Sequence, residues 1–113
     1  MRLLALLLAS ACDPPPMTIT QYPCPPAGTT LTYESFGSQF LDENCNTCHS
    51  AENDARHGAP DSIRFDTLDE VHALAARIFV RAAGPNTSMP PGPDDPPLDA
   101  RDQLAEWLSC GAP

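Results

Sequence analysis

Proline placement sets the first limit on what this chain can fold into. Fourteen of its 113 residues are proline, and most fall in two stretches, Asp13 to Pro26 and Pro85 to Pro97. A proline lacks the backbone N–H and fixes φ, so neither stretch can be regular helix or central strand. What can fold compactly is Thr32 to Cys110, about eighty residues, a size at which an apolar core alone is marginal and a covalent or metal staple is usual.

Such a staple is written into Cys45-Asn46-Thr47-Cys48-His49. Two cysteines spaced C-x-x-C with a histidine directly after the second form the attachment signature of a c-type haem. Each thiol adds to one vinyl group of the porphyrin, and the next residue then swings its imidazole beneath the iron. A ring of that size would give short helices a common core, which suits a chain with only four Phe, two Tyr and one Trp. Two other readings of C-x-x-C stay open at this point. A thioredoxin-like dithiol needs a preceding strand within a βαβ unit, and no Val/Ile-rich strand precedes Cys45. A zinc site needs two further ligands, ideally closely spaced, whereas His57 and His72 lie far apart and Cys24 and Cys110 stand at opposite ends of the chain.

Charge narrows the partners. The formal net charge is −9, with six arginines, no lysine and fifteen acidic residues. Nucleic acid is excluded as a natural partner on that balance. For an electron carrier the same surface favours fast, weak docking to basic redox proteins.

Three helices are expected. Tyr33 to Asn44 places Phe36, Phe40 and Leu41 together, with Thr32 or Ser35 as the cap. Gly37 lowers helix propensity there by about 1 kcal/mol relative to alanine, so close approach of another helix is expected at that position. Asp66 to Ala83 opens on the capping box Thr67-Leu68-Asp69-Glu70 and closes at Gly84-Pro85, with Val71, Leu74, Ala75, Ile78 and Ala82 as its buried stripe. His72 lies off that stripe and reads as solvated. Asp99 to Ser109 is the last helix, bounded by Pro96-Pro97 and Gly111, with Leu104, Trp107 and Leu108 on one face.

Residues 1–11 read as an export signal, with Arg2, a short leucine-rich run, then Ser10 and Ala11 before Cys12. The run is too short to span a bilayer as a helix. Its small-small-Cys ending resembles a bacterial lipobox, which implies that Cys12 carries lipid; an ordinary secretory signal is the other reading. Either way the protein is exported, to the periplasm or the outer side of a bacterial membrane. Residues 12–31 read as a proline-rich tether that adds no fold, and 32–113 as the domain, expected to be monomeric.

Around the haem motif the chain resembles the class I c-type cytochromes. In that family a small residue eight places before the first haem cysteine and an apolar residue four before it face the C-terminal helix. Gly37 and Leu41 hold those places. The resemblance implies a mostly α-helical, cytochrome c-like fold of three to four helices around one covalent haem, with Leu104 and Trp107 against Gly37 and Leu41. It implies a proline carbonyl that accepts from the outer nitrogen of His49, for which Pro60 is the candidate by position, an ordinary turn proline being the other reading. It also implies a methionine opposite His49 on the iron. Met89-Pro90, forty residues after His49, fits that pattern. Met89 is taken as the one methionine of the folded region, since Met1 falls in the signal and Met17 in the tether. His57, His72 or an open position are the other choices for the sixth site.

With both axial positions filled, one-electron transfer is the expected role. An open sixth site, with His57 as distal base, would instead make a haem enzyme such as a peroxidase. A haem-free zinc-binding or structural lipoprotein is the remaining alternative. With Cys12 assigned to lipid and Cys45 and Cys48 to haem, Cys24 and Cys110 remain as a pair in an oxidising compartment. A disulfide between them would tie the end of the tether to the last helix.

Overall fold

A computed structural model describes residues 12–113; the export signal expected at 1–11 lies outside the described residues. The chain is mostly helical, and no strand occurs among the described residues. A π-helical turn, Tyr33–Gly37, runs directly into α1, Ser38–Asn44. The short α2, Asn46–His49, follows after a single residue. An irregular stretch then leads to α3, Leu68–Ala82, and a proline-rich loop leads on to α4, Leu98–Ser109. No helix among the described residues is long and apolar enough to cross a membrane.

The ends of these elements follow from their sequence. Thr32 caps the first turn, its hydroxyl accepting from the Ser35 N–H at 3.0 Å while Ser35 Oγ accepts from the Thr32 N–H at 2.9 Å. At α3 the capping box forms as expected: Thr67 Oγ1 accepts from the Glu70 N–H at 3.2 Å, and the Glu70 carboxylate accepts from the N–H groups of Thr67 and Asp66. Arg81 lies in the last turn of α3, where positive charge suits the helix dipole. Gly111 ends α4 with a left-handed φ of 91°, a conformation glycine adopts without a Cβ clash.

Leu41, Val71, Ile78, Phe79, Leu104, Ala105, Trp107 and Leu108 build the centre of the core. Val71, Ile78 and Ala82 are buried as the α3 stripe requires, whereas Leu74 and Ala75 are only partly covered. Phe79 is fully buried although the stripe omits it. Its cover is Tyr22, whose ring centroid lies 5.9 Å away, and Tyr22 belongs to the segment expected to stand off as a tether.

That expectation is corrected from Met17 onward. Residues Cys12 to Pro16 are exposed, but Met17, Ile19, Tyr22 and Leu31 pack against the core. Asn86 Nδ2 donates to the Met17 carbonyl at 2.8 Å and Asn86 Oδ1 accepts from the Met17 N–H at 3.0 Å. Cys24 and Cys110 form a disulfide with a Cα–Cα distance of 4.8 Å. Proline forbids regular structure in this stretch without preventing its apolar side chains from docking, and together they make a strap across α3 and α4.

Candidate functional site

Cys45, Cys48 and His49 are brought together by one helical turn. The chain leaves α1 at Cys45, which caps α2, and the N–H groups of Cys48 and His49 both donate to the Cys45 carbonyl, at 3.1 and 3.0 Å. Both cysteines are free thiols, each partly exposed. Burial of its sulfur pushes the Cys45 thiol up to about 12, against the pull of the Arg101 guanidinium, with the neighbouring Cys48 adding to the rise. Among the described residues no group of three His, Cys, Asp or Glu side chains is arranged so that together they could hold a metal ion.

His49 is held in one orientation. Its Nδ1–H donates to the Ile63 carbonyl at 3.0 Å, and its ring lies 5.0 Å from that of Phe65. A carbonyl can only accept, so this bond fixes the proton on Nδ1 and leaves the Nε2 lone pair available to a metal. The acceptor differs from the expected Pro60. The Pro60 carbonyl is instead taken by Arg56 Nη2 at 2.8 Å and by the Ile63 N–H at 3.0 Å, so the turn it starts carries Ile63 toward the imidazole.

Arg56, which the sequence reading overlooked, organises that loop. Its guanidinium donates to the carbonyls of Ser50 at 2.6 Å, Pro60 at 2.8 Å and Ile63 at 3.3 Å. The signal was one of the two arginines of a polar loop, Arg64 being the other, each long enough to reach backbone carbonyls. His57, beside it, is exposed and adopts a left-handed φ of 50°. His72 stays exposed on α3, its Nε2–H donating to the Ala112 carbonyl at 2.9 Å.

Met89 sits on a separate scaffold. Its N–H donates to the Arg81 carbonyl at 2.8 Å and its carbonyl accepts from Arg101 Nη1 at 2.8 Å, while 39% of the residue remains exposed. It is not the only methionine of the folded unit, because Met17 docks on the core beside Asn86. The two differ in use: Met17 fills a packing position, whereas Met89 has no place in the core. A cleft of about 440 Å³ between Phe36, Phe40 and Asn44 on one side and Pro96, Pro97 and Ala100 on the other includes none of Cys45, Cys48, His49 or Met89. The link between the two scaffolds is Arg101, bonded to Met89 and close enough for its charge to act on Cys45.

This donor set fits a covalent haem in its chemistry. Two thiols and an imidazole with a free Nε2 share one turn, a thioether lies on the loop after α3, and Arg101 Nη2 is buried without a hydrogen-bond partner. Comparison of the chain with protein-family models, curated proteins and solved structures gives no match.

Proposed function

We propose that this protein is an exported carrier of single electrons, a monohaem cytochrome of the class I kind with His49 and Met89 as axial ligands. The observation that carries the reading is the His49 geometry: an imidazole that immediately follows C-x-x-C and donates from Nδ1 to the Ile63 carbonyl at 3.0 Å, presenting Nε2 on the same turn as both thiols. Bound haem supplies a one-electron iron couple whose potential its ligands and surroundings set.

The chain's own residues account for the rest. Cys45 and Cys48 would hold the haem covalently, each by adding S–H across a vinyl group, sulfur to one carbon and hydrogen to the other, which needs no oxidant. The carbonyl acceptor on His49 strengthens the imidazole as a donor, and Phe65 limits its rotation. Met89 is the residue that would supply a thioether to the iron, which would leave no open site for substrate and favour the reduced iron. The −9 charge steers encounters toward basic redox partners. Exposed Cys12 and the four residues after it supply the anchor point and a short spacer, and the disulfide accords with an oxidising compartment.

An absorption spectrum, oxidised and reduced, tests this on protein exported by a host with haem-attachment machinery, alongside the Met89→Ala variant. A covalent c-type spectrum whose methionine-to-iron band disappears in the variant is expected. Haem present with the variant unchanged would remove Met89 and favour an open-site enzyme, and absence of covalent haem would end the reading.

A further inference from the structure

We propose that Arg101 is the positioning residue for Met89, the side chain that decides how firmly the thioether holds the sixth position; this rests on the reading of Met89 as an axial ligand. Arg101 is buried to 1% exposure within α4. Its Nη1, which carries two hydrogens, lies within bonding distance of three carbonyls, those of Ala82 at 2.9 Å, Asn86 at 3.1 Å and Met89 at 2.8 Å, so one N–H is shared between two of them. Burying a guanidinium is expensive unless its bonds are made, and here all three made bonds converge on the end of α3 and the loop that follows.

The sequence of that loop explains why a side chain must hold it. Pro90, Pro91 and Pro93 have no N–H, so the chain beyond Met89 can make few backbone bonds of its own. On the N-terminal side the Met89 N–H is fixed to the Arg81 carbonyl. On the other side Arg101 supplies the tie, and the nearest oxygen of Asp95, farther along the loop, lies 4.0 Å from its Nη2. Met89 is therefore pinned at both backbone groups while its side chain stays free to reach out. Because α4 packs against the rest of the fold through Leu104, Trp107 and Leu108, the tie refers the loop to the buried core of the molecule.

The test is a ligand competition on the haem-loaded protein. Added imidazole displaces the thioether, a nitrogen–iron bond forming as the sulfur–iron bond breaks, so its affinity reports how well Met89 is held. Arg101→Gln is expected to bind imidazole about tenfold more tightly than wild type, with hydrogen exchange of the Met89 amide accelerated, and Arg101→Lys to fall between the two. Thr67→Ala, which removes the α3 cap far from the loop, is expected to lower stability and leave imidazole affinity unchanged. Wild-type affinity in both Arg101 variants would overturn the proposal while leaving Met89 ligation intact. If Arg101→Gln does not fold, the Arg101→Lys comparison decides alone. A wild-type protein without the methionine-to-iron band overturns the ligand reading, and this proposal with it.

Discussion

Gly37 and Trp107 meet face to backbone: a Cβ placed on Gly37 would overlap Cη2 and Cζ2 of the indole and lie 3.0 Å from Cε2. The first helix and the last cross at this point because one contributes no side chain. Gly37→Ala sets two effects against each other. Alanine gains about 1 kcal/mol in helix propensity, while overpacking costs about 1–3 kcal/mol. Trp107 is fully buried, bonded through Nε1 to the Pro113 carbonyl at 3.2 Å and flanked by Tyr33 and Phe36, so it cannot slide away. A net loss of about 1–2 kcal/mol is expected in denaturant unfolding. Combining it with Trp107→Phe should be less damaging than the sum of the two, and strict additivity would show that the two residues do not compete for the same space.

The strap makes a second expectation. Cys24 and Cys110 are 86 residues apart in sequence, and closing a loop of that length stabilises a fold by about 4–5 kcal/mol in the chain-entropy account. Replacing both by serine should lower the unfolding midpoint by an amount in that range or somewhat below it. It should also release Tyr22 from Phe79 and expose an apolar face that binds a hydrophobic dye. An unchanged midpoint would mean that the Asn86 clamp on Met17 holds the strap without the disulfide.

What the sequence made legible follows the range of the interactions involved. The caps at Thr32 and Thr67, the stop at Gly111 and the turn carrying Cys45, Cys48 and His49 are local, set by residues within four places of one another, and each is found where its pattern lies. Gly37 against Trp107 is long-range yet was readable in two parts: a glycine inside a helix asks for a close neighbour, and the resemblance to the class I c-type cytochromes implied Trp107 as that neighbour. The strap was readable at its end, where Cys24 and Cys110 remained as a pair and are bridged, but not in its docking, since a proline-rich stretch looks the same whether it is solvated or docked, and only Asn86 and Phe79, about seventy and sixty residues away, decide between the two. Phe79 fell outside the α3 stripe for the same reason. Nothing in the sequence singles out Arg101, because its partners are backbone carbonyls that every loop possesses. The shift of the His49 acceptor from Pro60 to Ile63 turns on where Arg56 points, which residue spacing does not encode.

Asp66 gives the loop that carries Ile63 a dependence on acid. The Ala51 N–H, at 2.8 Å from Oδ2, holds its carboxyl below the usual value, with the Ser50 hydroxyl and then the Arg64 and Arg56 guanidinium groups acting the same way against a small opposing effect of burial. A carboxyl whose folded pKa lies below its unfolded one binds fewer protons in the folded state, so stability rises with pH across the interval between the two values. The contribution is complete above the ordinary carboxylate range and is lost as pH falls through the lowered folded value. Asp66→Asn removes that charge-dependent part at every pH. Unfolding midpoints followed from neutral pH downward should therefore converge for the variant and the wild type at the acid end and separate above it, the wild type being the more stable. Parallel curves over the whole range would show that the Ala51 bond does not depend on the charge of Asp66, and that the loop beneath His49 is held by Arg56 alone.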